Sequence, residues 1–263
     1  MGSNPTRSAI CPHPAFSSAG YYLTLRLTSK RPLRQFMRQA NVVDEIVSTA
    51  SRRLGGNLRL LGLYGSGAVR PSTAHDLDFL LVVDAVENCV TFATRDCRDI
   101  SPNVQFFVLN ASEYAVLPGF YRFQFAFVRK LSGNLELPPT LRQDAIQSIT
   151  HGFTDTLRTL RQQYKRREWN VADDWARQVW WNLKSFKYAL LDTCWLLRGE
   201  RPRDEERAAL ILEAEGLPRS AQAMTEWPDL EQAAEQLKAK PLVWISNWEP
   251  LITASYAEVR KLL

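Results

Sequence analysis

A chain of 263 residues with 45% hydrophobic and 23% charged residues can bury a sizeable core, which excludes disorder as the default; its length suits one large domain or two ordinary ones. No stretch approaches the roughly 18 apolar residues of a membrane span, and the first residues lack the apolar block of a secretory signal, so a soluble protein of the reducing cytoplasm is expected. The formal net charge of +5 is uneven: residues 1–60 hold nine Lys or Arg against two Asp or Glu, while residues 61–130 and 131–263 are each one charge on the acidic side.

Residues 1–31 are rich in Ser, Pro and Arg, hold no acid and show little periodicity, which is the composition of a disordered basic arm. Three readings of that arm stay open: a nucleic-acid tail, an organelle transit peptide, or an extension upstream of Met37. Leu33, Phe36, Met37, Val43, Ile46, Val47 and Leu54 then recur near helical spacing, with Gly55 and Gly56 placed as a C-terminal cap. "LRLLGLYG" reads as a buried strand, and "HDLDFLLVVD" as a second one with Asp76 and Asp78 on one face and Leu77 on the other. After a helical or irregular "AVENCVTFATRDCRDI", "VQFFVLN" is a third strand and "YRFQFAFVRKL" is read as a fourth. This mixture predicts an α/β domain over residues 32–138.

Beyond "LPPTL" the pattern becomes helical to the end, predicting an all-α helical bundle over residues 139–263. Its clearest helix is "DDWARQVWWNLKSFKYALLDTCWLLRGE", where Trp175, Val179, Leu183, Phe186, Leu190 and Leu197 form one stripe and Gly199 and Pro202 end it. Further helices are expected in "RDEERAALILEAEG", "DLEQAAEQLKAK" and "WEPLITASYAEVRKLL". All eight tryptophans, from Trp169 to Trp248, fall in this half, where they either pack the core or line a pocket for a ring-bearing molecule. Cys11, Cys89, Cys97 and Cys194 form no CxxC pair, and His13, His75 and His151 are scattered, so neither a disulfide framework nor a zinc site is indicated.

The stretch that carries chemistry is "LGLYGSGAVRPSTAHDLDFLLVVD". Two carboxylates at alternate strand positions converge on one point, which suits Mg²⁺ and its oxygen ligands at about 2.1 Å. Backbone N–H groups of the turn at Gly65 and Ser66, with the Ser66 hydroxyl, suit a phosphate, and Arg70 is a further candidate contact. No Gly-Lys-Ser/Thr follows, so this is not a Walker loop.

Gly65-Ser66, nine intervening residues, then Asp76-Leu77-Asp78 running into an apolar strand resembles the signature of the nucleotidyltransferase superfamily that includes DNA polymerase beta, in its branch of small antibiotic- or protein-modifying enzymes. The resemblance implies a mixed-sheet core with an accessory bundle, and Asp76 and Asp78 as metal-binding catalytic residues. It also implies Mg²⁺ or Mn²⁺, an NTP as co-substrate, and transfer of NMP, most simply AMP, to a hydroxyl of a small molecule such as an antibiotic. A partner-protein acceptor, as in antitoxin-type enzymes, and a non-catalytic binding protein are the alternatives; nucleic acid enters only through the basic arm, and no membrane is implied. Members commonly add a third carboxylate from a later strand, but here the matching position is Gln105, which leaves Asp99, Glu113, Asp173 or Asp174 as substitutes. Arg142 and His151 lie nine apart, outside the Arg-x4-6-His spacing of the partner nucleases.

Overall fold

The computed structural model describes residues 39–65, 68, 76–163, 173–228, 233, 235–236 and 239–263. The arm at residues 1–31, Met37, Ser66, Arg70, His75 and most of "DLEQAAEQLKAK" lie outside them.

Helix α1 (Gln39–Leu54) leads through a turn at Gly55 into β1 (Leu58–Tyr64), and β2 (Leu77–Val83) returns antiparallel beside it. A single turn of 3-10 helix, a π-helical turn at Phe92–Asp96 and the short α2 (Cys97–Ile100) carry the chain to β3 (Val104–Asn110), which runs parallel to β2. The four-stranded mixed sheet has the order β3-β2-β1-β4, with β4 (Arg129–Gly133) antiparallel to β1.

The expected fourth strand is only partly a strand. Residues Gly119–Phe125 form α4, following the short α3 (Ala111–Ala115), and extended structure begins at Arg129. In "YRFQFAF" the aromatic residues alternate as in a strand, yet they also satisfy helical spacing: Tyr121 and Phe125 turn towards the sheet, while Phe123 and Phe127 contact each other at 5.1 Å on another side. Pro118 is the extended N-cap of this helix, and its carbonyl accepts from the Arg122 N–H at 3.0 Å. A short aromatic run fits both periods, and packing on two surfaces selects the helix.

Alternation along the strands sorts the sheet into two apolar faces. Leu61, Leu63, Leu77, Phe79, Leu81 and Val83 pack under α1 and α2. Leu60, Leu80 and Val82 pack under Tyr114, Leu117, Phe125 and Val128. The remaining helices, α5 (Arg142–Gln163), α6 (Asp173–Arg198), α7 (Glu205–Ala214), α8 (Pro218–Thr225) and α9 (Pro241–Val259), share a third core. The last is longer than the sequence pattern implied, beginning seven residues before Trp248 and accommodating Pro250. Helices α5 and α6 cross closely at Gly152, where an added Cβ would lie 2.5 Å from the Ser185 carbonyl oxygen.

Helix α4 joins the sheet to the helices. Arg122 donates from Nε (3.0 Å) and Nη2 (2.5 Å) to Asp144 at the start of α5, and Phe123 meets Trp195 of α6 edge-on at 4.8 Å. Trp227, Trp244 and Trp248 pack in or against the helical core, so for these three the core-packing reading holds.

Candidate functional site

Asp76 sits in the bend before β2 and Asp78 is the second residue of that strand. Side chains alternate, so Asp78 shares the face of Leu80 and Val82 and looks away from Leu77, as the sequence pattern implied. Its direct neighbours in register are Tyr64 on β1 and Gln105 on β3. Three polar side chains thus form a row across the end of one sheet face, Tyr64, Asp78 and Gln105, with Asp76 just outside it.

The glycine turn meets this row. Gly65 follows β1 directly and has φ +67°, the left-handed region that disfavours any residue bearing a Cβ. A Cβ there would stand 2.8 Å from Asp78 Oδ2. The absence of a side chain at Gly65 is therefore what leaves room for the carboxylate beside it.

The surroundings of Asp78 act strongly on its carboxyl. Burial, then the like charge of Asp76, push its carboxyl up to about 7, and the ammonium of Lys184 on α6 partly offsets them. One turn further along α6, the Tyr188 hydroxyl is raised by burial; the Arg201 guanidinium opposes this, while Asp78, Asp76 and Asp192 add to it. Lys184 and Tyr188 of α6 are thus both coupled electrostatically to the carboxylate pair.

Behind Tyr188 lies a buried ion pair. Asp192 is fully buried, accepts a hydrogen bond from Ser148 Oγ at 2.7 Å and pairs with Arg201 Nε at 2.8 Å. The Arg201 guanidinium lies 5.0 Å from the centre of the Phe127 ring and 5.5 Å from that of Tyr188, a cation held between two aromatic faces. Burial raises the Asp192 carboxyl, with Arg201 and Ser148 acting the other way.

Lys184, Tyr188, Asp192 and Arg201 lie outside the motif that the sequence displays. A signal was present for the first three: they recur every four residues, a polar stripe set one residue off the apolar stripe of the same helix. Arg201 lies past the helix end, and only the fold brings it back.

Among the proposed substitutes for a third carboxylate, Glu113 is occupied elsewhere. It closes a capping box with Asn110, accepting from the Asn110 N–H at 2.9 Å while Asn110 Oδ1 accepts from its own N–H. Asn110 pairs with Val83, five residues along β3 from Gln105, which is about 16 Å at 3.3 Å per residue. Asp99 is exposed on α2, whose Cys97 and Ile100 pack on the opposite sheet face. The side chains of Asp173 and Asp174 lie outside the described residues, and no group of three or more His, Cys, Asp and Glu side chains that could hold a metal occurs among the described ones. His151 is exposed and stacks on Phe120 at 4.1 Å. A hollow of about 200 Å³ lined by Glu226, Trp248 and Leu251 includes none of the residues the motif selects.

No helix among the described residues is long and apolar enough to cross a membrane. No protein-family model and no curated protein matches the chain. Among solved structures it is similar to a spectinomycin adenyltransferase, AAD(9), from Enterococcus faecialis, determined with ATP and spectinomycin; the two are 12% identical, the match covers 82% of this chain and 99% of that one, and the TM-score is 0.47. At that identity and score the likeness assigns no residue a role and no substrate.

Proposed function

We propose that the chain is a nucleotidyltransferase that moves a nucleoside monophosphate, most simply AMP, from an NTP to a hydroxyl of a small molecule. The observation that carries this reading is the close approach of Gly65 to Asp78: the glycine and the second carboxylate of the motif, thirteen positions apart in sequence, lie side by side at one sheet end. Asp76 and Asp78 are the residues to hold Mg²⁺ or Mn²⁺. The donor set fits, because both are hard carboxylate oxygens and their mutual repulsion in a part-buried place favours a divalent cation. Bound there, the ion supplies Lewis-acid neutralisation of phosphate charge.

The protein's own groups divide the remaining work. Gly65 and Ser66 offer backbone donors, and Ser66 its hydroxyl, to the β- and γ-phosphates; Arg70 is the further candidate in the same turn. The Lys184 ammonium, whose charge acts on Asp78 from α6, is assigned to the triphosphate, a role that positions and neutralises rather than reacts. In the transfer, the acceptor oxygen forms a bond to the α-phosphorus, the bond from that phosphorus to the bridging oxygen breaks, and pyrophosphate leaves with the electron pair. The acceptor proton passes to solvent.

A binding-only reading is favoured by one observation, Gln105 beside Asp78, since an amide neither takes the acceptor proton nor binds Mg²⁺ strongly. One experiment separates the two. The protein is incubated with each α-labelled NTP, Mg²⁺, and small-molecule and protein fractions of a lysate, with Asp76→Ala/Asp78→Ala as control. Label transferred by the intact pair alone supports the enzyme and names the acceptor class, small molecule or partner protein. No label in any fraction with nucleotide still bound supports the binding protein.

A further inference from the structure

We propose that the carboxylates of this site hold a single divalent ion, the one that accompanies the NTP, and that Gln105 is the residue that withholds a second. The inference rests on the nucleotidyltransferase reading above and specifies its metal stoichiometry.

Gln105 is the register partner of Asp78 on the neighbouring strand and shares its face, so the two side chains start about 4.8 Å apart. A pair of ions in a phosphoryl-transfer site lies roughly 3.5–4 Å apart and needs anionic oxygens to bridge and balance them. Asp76 and Asp78, with the phosphates of the NTP, make up the usual ligand set of one Mg²⁺, one or two carboxylates plus substrate oxygens. An ion held between Asp78 and the acceptor would have to draw on the Gln105 amide oxygen, a neutral and much weaker ligand.

Among the described residues, no other carboxylate is seen to fill the gap. Asp144 is committed to Arg122 and Asp192 to Arg201, both almost fully buried. Glu113 and Asp99 lie along the strand and on the opposite face, as described above. Asp174 and Asp173 belong to α6, ten and eleven residues before Lys184, about 15 Å away along the helix axis. The segment from Ser66 to His75 contains no Asp or Glu, and neither do residues 1–38. A fixed positive charge already acts on Asp78 from the α6 side, that of Lys184.

The test counts Mn²⁺ bound to the full chain by electron paramagnetic resonance and by titration calorimetry, with an α,β-methylene ATP analogue present so that no turnover intervenes. The expected result is one protein-bound Mn²⁺ per chain for the native protein and two for Gln105→Glu, with Asp78→Asn losing the first ion in both backgrounds. Two ions on the native protein would overturn the inference while leaving the nucleotidyltransferase reading intact. No protein-bound Mn²⁺ with analogue present would sink that reading and the inference together. Gln105→Asp repeats the gain-of-site measurement with a shorter side chain should the Glu variant fold poorly, and one ion in both well-folded variants also counts against the role given to Gln105.

Discussion

Replacing Gly65 by alanine separates backbone strain from site geometry. At φ +67° an added Cβ costs about 1–2 kcal/mol from the left-handed conformation alone. Gly216, after α7, has φ +73° and nothing within 4 Å of its added Cβ, so Gly216→Ala carries the same strain without a steric partner. Gly216→Ala should therefore lose about 2–8 °C in Tm for a chain of roughly this size, and Gly65→Ala at least as much. Only at position 65 does the Cβ meet Asp78 Oδ2, at 2.8 Å. The carboxylate must then leave its rotamer, at about 0.5–1.5 kcal/mol, and loses the near-ideal octahedral placement that Mg²⁺ demands. Titration calorimetry of the Mg²⁺–NTP complex should show Gly65→Ala binding at least about tenfold more weakly, roughly 1.4 kcal/mol, with Gly216→Ala unchanged. Equal Mg²⁺–NTP affinity in the two variants would show that Gly65 is a turn residue and nothing more.

Other perturbations probe the same neighbourhood. Arg201→Met leaves the buried Asp192 carboxylate with Ser148 alone, a loss of about 3–5 kcal/mol in the ionised form. Because burial already raises Asp192 and Arg201 opposes this, the variant's carboxyl rises further. Its deficit should be small near pH 4 and grow as pH rises, and an equal Tm difference at pH 5 and pH 8 would refute this. Asp78 is raised from 3.8 to about 7, so in metal-free protein its proton-linked stability is complete below pH 3.8 and lost as pH climbs towards 7. Asp78→Asn should flatten that part of the stability curve, and Mn²⁺ affinity of the native protein should fall as pH drops below 7, where the ion must displace a proton; an Mn²⁺ affinity constant from pH 5.5 to 8 contradicts the shift. Lys184→Met should weaken ATP binding about tenfold or more, whereas Lys187→Met, whose ammonium pairs with Glu205 instead, should not; equal losses would remove Lys184 from the site. Asp76→Ala and Asp78→Ala should each abolish transfer with circular dichroism unchanged, and near-native transfer by either one defeats the assignment.

Much of this protein is legible in local sequence. The alternation in "LDFLLVV" places Asp78 opposite Leu77, and the helical spacing of Leu183, Phe186 and Leu190 builds the buried side of α6, because each pattern reports a period that the backbone imposes on its neighbours. Gly65, Ser66, Asp76 and Asp78 stand out for the same reason: one turn and one strand end carry the whole motif. Tertiary structure alone decided the rest. "YRFQFAF" became α4 because its rings pack on the sheet at one side and on Trp195 at another, a choice invisible to a seven-residue window. It also paired Asp78 with Gln105 in register, turned Glu113 into a helix cap, and drew Arg201 back over Tyr188 onto Asp192. Those relations join residues far apart in the chain, and burial, charge pairing and the absence of a Cβ at Gly65 act only once folding has brought the surfaces together.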